Sequence, residues 1–102
     1  MSDIAQTPKP PYYAVIFTSI RTEGDNGYAE TAERILALAR QQPGFLGYES
    51  ARNDIGISVS YWSSLEAITA WRNNPSHKQV QSRADEWYAD SRIRICKVER
   101  SY

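Results

Sequence analysis

The sequence has little of several residues that usually announce chemistry: one cysteine, one histidine, one methionine and two phenylalanines among 102. A single cysteine excludes an intrachain disulfide and any cysteine-rich zinc site. Cys96, in a strand-like segment, reads as a small core residue rather than a nucleophile. One histidine with no HxH, HExxH or cysteine pair gives no basis for a metal centre. GxSxG, Walker and GxGxxG loops are absent as well. Charge of either sign is not in excess, Lys plus Arg and Asp plus Glu both being 12, so nothing draws the chain toward nucleic acid or anionic lipid. No apolar run is long enough to span a membrane, and MSDIAQTPKPP lacks the apolar centre of a signal peptide. A cytoplasmic, bacterial-type protein with neither nucleic-acid nor membrane partners is expected.

What is present is the content of one soluble domain, 41% hydrophobic and 24% charged. A chain this long buries roughly two-thirds of its unfolded surface, enough for one modest core. Residues 1–11, with Pro8, Pro10 and Pro11, read as a flexible, extended arm outside the core, leaving 12–102 as the domain. YYAVIFTSI (Tyr12 to Ile20) is β-branched and aromatic on both alternating faces, which predicts a strand buried on two sides. Helical spacing of Tyr28, Ala32, Ile35, Leu36 and Ala39 predicts a helix from about Asn26 to Gln42, stopped by Pro43-Gly44. FLGYESAR (Phe45 to Arg52) and ISVSYW (Ile57 to Trp62) form a hairpin around NDIG. Ser63 and Glu66 have capping-box spacing for a second helix carrying Leu65, Ile68 and Trp71 inward. Asn74-Pro75 then caps a third helix, predicted to run to about Ala89, and IRICKVER (Ile93 to Arg100) is the last strand.

This order gives an α+β fold: a ferredoxin-like split βαβ protomer with a four-stranded antiparallel sheet and helices on one face. The second face needs a cover, because the first strand is apolar on both sides. Ile93 and Ile95 of the last strand also point opposite to Cys96 and Val98. A second copy is the simplest cover, so a homodimer with its sheets face to face is expected. Arg94 shares its side with Cys96 and Val98; it either pairs with a carboxylate across the dimer or sits at an exposed edge.

On a wheel of the third helix, His77, Val80, Gln81, Ala84, Trp87 and Tyr88 fall on one side. His77 stands near position N3, where the helix dipole and burial both disfavour its charge. A neutral imidazole able to take a proton is therefore expected. Trp71, His77 and Gln81 make a candidate pocket wall. A hydrogen-bonded core histidine and packing indoles at Trp62, Trp71 and Trp87 are the competing explanation. Ser58 and Ser60 put small residues on one face of their strand, which fits either a hollow or a solvated face.

The pattern resembles the antibiotic biosynthesis monooxygenase-like family of dimeric α+β barrel proteins. The resemblance is carried by YWSSLEAITAWR, PSHKQVQ and WYADSRIRICKVER, with AVIFTSI and PGFLGYES, and covers nearly all of the chain after the arm. It implies a dimer and a pocket between each sheet and its helices. Some members use such a pocket to oxygenate phenolic polycyclic substrates with O₂ and no metal or flavin cofactor. By that resemblance Trp71 and His77 are catalytic and Trp62 and Gln81 bind substrate: indole N–H donors, an imidazole base or relay, and an orienting amide. Haem-degrading relatives carry a tryptophan matched by Trp71 and an axial histidine ten residues on. Here that position is Gln81, a poor haem ligand, and His77 is only six residues after Trp71. A non-catalytic dimer binding a small aromatic molecule, and a purely structural partner, are the other readings.

Overall fold

A computed structural model describes residues 3–102. The elements run β1 (Tyr12–Arg21), α1 (Tyr28–Ala39), β2 (Phe45–Arg52), β3 (Gly56–Trp62), α2 (Leu65–Arg72), α3 (Pro75–Gln81), α4 (Ala84–Trp87) and β4 (Tyr88–Val98). The strands form one antiparallel sheet in the order β2-β3-β1-β4, the ferredoxin-like arrangement read from the sequence. α1 is rich in alanine and leucine and propagates well once started. It begins after Gly27, whose φ of 80° is a conformation open to glycine.

Gly44 closes the α1–β2 turn at φ 87°, and a Cβ there would stand 2.6 Å from the Cβ of Ala67. Its carbonyl accepts the Ser63 N–H at 2.8 Å. That bond corrects the expected capping box. Ser63 is tied to the turn, and the next serine, Ser64, caps α2 by accepting the Ala67 N–H at 3.1 Å. The third helix is also shorter than its apolar stripe suggests. It breaks after Gln81, a single turn (α4) follows, and the chain is already in β4 at Tyr88 rather than at Ile93. Strand pairing overrides the helical pattern here: Arg21 pairs with Tyr88, and the Trp87 carbonyl accepts both the Thr22 N–H and the Arg21 Nε–H.

The helices lie on the face of the sheet that carries Tyr13 and Val15 of β1 and Trp62 of β3. Ala39, Trp62, Ile68 and Trp71 are the buried centre, with Ile35, Leu38 and Phe45 packed around it. Among the described residues the opposite face has no helix. The arm does not stand clear of it: Thr7 Oγ1 is 2.8 Å from the Tyr12 hydroxyl, and a Cβ on Gly47 would approach the Ala5 Cβ to 3.1 Å. Residues 5–7 therefore lie on the Tyr12–Gly47 corner of this face, in neither helix nor strand.

β4 is exposed from Ala89 to Lys97 because it is the edge strand and nothing among the described residues covers either of its sides. Ile93 and Ile95 are 61% and 48% exposed, and Cys96, expected as a small core residue, is exposed too. Arg94 likewise lies at the exposed edge of a single chain. No helix among the described residues is long and apolar enough to cross a membrane.

Candidate functional site

Ser64 sets where α2 starts, and so places Ile68 and Trp71, one turn apart, on its buried face. Asn74 sets α3 in the same way. Its Oδ1 accepts the backbone N–H groups of Ser76 at 3.0 Å and His77 at 3.4 Å, with Pro75 at the first helical position. His77 is thereby the third residue of its helix. Its ring stacks on Trp71 with centroids 4.3 Å apart and planes 13° from parallel. The other face of Trp71 looks onto Trp62 at 6.4 Å and 24°. The outcome is a ladder of three flat rings, from a fully buried indole to a half-buried imidazole.

The hydrogen bonds decide the tautomer. His77 Nδ1 is 3.2 Å from the Trp71 carbonyl, which can only accept, so Nδ1 carries the hydrogen. The Gln81 amide nitrogen stands 3.3 Å from the same Nδ1, but both groups are then donors. Gln81 is held instead by the Arg72 carbonyl at 3.1 Å. The ring's lone pair is therefore on Nε2, which has no hydrogen-bond partner among the described residues. Burial pushes the imidazole below its ordinary value of 6.5, and the bond to the Trp71 carbonyl opposes this without cancelling it. The ring is neutral at pH 7, as its place in the sequence led us to expect, with burial as the leading cause.

Trp62 is at 0% exposure, and its indole N–H is donated to Ser60 Oγ at 2.9 Å. It supports Trp71 from behind and is fully buried in the single chain. An open hollow of about 330 Å³ lies where α2 meets the α1–β2 turn, lined by Gln42, Gly44, Glu66, Ala67 and Trp71 among others. Of the four expected site residues only Trp71 is on its wall. Trp71 is thus the one group common to the hollow and the imidazole. Glu66 and Gly44 read from the sequence only as a capping-box and a helix-stop residue, because nothing local shows that they face a common hollow. They meet only through the Gly44–Ser63 turn. Among the described residues no three His, Cys, Asp or Glu side chains come together as metal ligands.

Residues 11–83 match the family model for antibiotic biosynthesis monooxygenase. The chain belongs to the antibiotic biosynthesis monooxygenase family. An uncharacterized protein of Bacillus subtilis (strain 168), YqjZ, is 48% identical over 103 residues, covering 98% of this family member and 90% of YqjZ. SnoaB, a cofactor-independent oxygenase from Streptomyces nogalater, superposes with a TM-score of 0.78 at 11% identity, over 90% of this chain and 97% of its own. Protein SO0527 from Shewanella oneidensis gives 0.77 at 9% identity, over 96% and 100%. At such low identity the two structures share the fold with this antibiotic biosynthesis monooxygenase family member and carry nothing about its substrate.

Proposed function

We propose that the protein oxygenates a small, electron-rich aromatic molecule with O₂ directly, the substrate itself supplying the electrons. The observation that carries this reading is the fixed tautomer of His77: a neutral imidazole, hydrogen-bonded at Nδ1, stacked on Trp71 and basic at Nε2. A base so placed removes the acidic proton of a phenol or anthrone and leaves a carbanion stabilised over the ring system. The carbanion carbon bonds to O₂, giving a hydroperoxide once the proton held by His77 is returned. Loss of water from that hydroperoxide leaves a ketone. An anthrone and one O₂ become one quinone and one water. Trp71, its faces taken by His77 and Trp62, presents an apolar edge on the wall of the hollow against which the substrate ring can pack. Fold likeness to a cofactor-independent oxygenase supports the reading.

The test is oxygen uptake with a hydroxyanthrone probe in protein treated with a chelator. One O₂ consumed per quinone formed is expected. Saturable binding of the probe with uptake no faster than in buffer would overturn the oxygenase reading in favour of a non-catalytic aromatic-binding module.

The same reading includes a homodimer built on the helix-free face. Ile57, 47% exposed, lies there with Ile16 and Val59. One row across that face runs Glu49, Val59, Ile16, Arg94, an acid at one edge and a base at the other. A second copy turned by a two-fold axis sets each Arg94 toward the other's Glu49 and buries the apolar centre between them. Wild-type protein is expected to sediment at twice the chain mass and Ile57→Asp at the chain mass. A wild-type monomer at micromolar concentration would remove the dimer.

A further inference from the structure

At the far end of the sheet from Trp62, three strands place a guanidinium in an unusual position. Arg52 of β2 pairs with Gly56 of β3, which pairs with Ser19 of β1. A Cβ on Gly56 would run into the Arg52 guanidinium, so the missing side chain is what lets the arginine cross the middle strand. It reaches Ser19, a buried residue, and donates to both its carbonyl (3.2 Å) and its hydroxyl. Two of five N–H groups are engaged in this way, and three remain. Among the described residues no carboxylate lies within ion-pair distance of Arg52, and the ion pair formed there is Arg83–Glu86.

Beside this group stands a pair of phenols. The Tyr88 hydroxyl donates to that of Tyr28 at 3.2 Å, longer than the usual 2.7–2.8 Å, so the bond is loose and its proton can turn to another acceptor. The Tyr88 ring is edge-on to Phe17 at 5.0 Å, and Arg21 lies over the Tyr28 ring at 3.5 Å. Burial, then the bond to Tyr28, push the Tyr88 phenol upward, while Arg52 and Arg21 both pull it down without prevailing. Tyr88 is therefore a neutral donor next to two cations with no acid acting on it.

We infer that Arg52, Tyr88 and Tyr28 form a subsite for the carboxylate of an aromatic acid. A planar fork of N–H donors beside phenolic O–H donors matches a planar carboxylate, and aromatic edges at Phe17 and Tyr88 receive the attached ring. The subsite stands at the other end of the sheet from the Trp71 hollow and rests on the function proposed above only for the aromatic nature of its ligand. A purely structural Arg52, latching the β2–β3 hairpin to β1, would make the same two bonds to Ser19 but would not distinguish ligands by charge.

Fluorescence titration with anthracene-2-carboxylate and its neutral counterpart, 2-(hydroxymethyl)anthracene, separates these roles. Wild type is expected to prefer the carboxylate by about tenfold or more, the worth of one charge-assisted contact. Arg52→Gln removes that preference and leaves the neutral probe unaffected; Arg52→Lys keeps part of it. Tyr88→Phe weakens the carboxylate severalfold and the neutral probe not at all, which provides a second reading should Arg52→Gln not fold. Equal affinity for the two probes, binding of neither, or a preference that survives in folded Arg52→Gln overturns the subsite. Oxygen uptake with the neutral hydroxyanthrone is read on the same proteins. Uptake without charge preference discards the subsite alone, and charge preference without uptake discards the oxygenase alone.

Discussion

Replacing His77 with phenylalanine is expected to lower kcat/KM for the hydroxyanthrone by about 10²–10⁴-fold, the range lost when a positioned general base is removed. Phenylalanine keeps a flat ring against Trp71, where the native imidazole lies 4.3 Å away, so the stack is retained and only the basic nitrogen is lost. The Trp71 carbonyl is not orphaned by the change, because the Asn74 N–H also reaches it at 3.1 Å. A large fall in rate with an unchanged melting temperature therefore isolates the chemistry from the fold. A rate within twofold of wild type would take His77 out of the mechanism.

The pH dependence gives an independent check. The folded ring holds its proton less well than the unfolded one, whose value is the ordinary 6.5. As pH falls below about 6.5 the unfolded chain takes up a proton first, so it binds more protons than the native state and stability declines with falling pH. The contribution of neutral His77 is complete above about pH 6.5 and is lost as pH drops through the lower folded value. His77→Phe flattens this part of the stability profile. The rate profile of the wild type falls over the same acid range, because the protonated ring is no longer a base.

The residues that were legible in the sequence are those whose partners are close in the chain. Alternation in β1 and β3 set the strands, and Asn74-Pro75 placed His77 at the third helical position on an apolar stripe, from which its burial and so its neutrality could be expected. Legibility failed where a distant partner decided the outcome. Both Ser63 and Ser64 suit a helix cap, and only the Gly44 carbonyl, nineteen residues from Ser63, assigns the cap to Ser64. Ala89 to Arg92 shows no apolar alternation, and the strand forms there because β1 offers its free edge. The Arg52 crossing needs two strand registers and a glycine, none of which has a sequence signature. Trp62, Trp71 and His77 were recognised as neighbours, but the order of the rings, and hence which of them faces a ligand, required the packing.

That order makes Trp62 the residue whose loss should cost the most stability. Trp62→Ala is expected to destabilise the fold by about 3–5 kcal/mol, the range for truncating a buried tryptophan. The indole is fully buried, edge-on to Phe45 at 5.4 Å, stacked toward Trp71, and hydrogen-bonded to Ser60. Alanine would leave a void against all of these and an unpaired Ser60 hydroxyl. Domains of this size have only about 5–15 kcal/mol in total, so the variant should unfold at much lower urea with its m-value unchanged. Trp62→Phe keeps most of the volume and loses the N–H, and should cost under half as much. A loss below about 1 kcal/mol for the alanine variant would mean that the ladder is not part of the core. The activity of folded Trp62→Ala should also drop, because Trp71 loses the surface that holds it flat beneath His77; an undiminished rate would show that Trp71 keeps its position without that support.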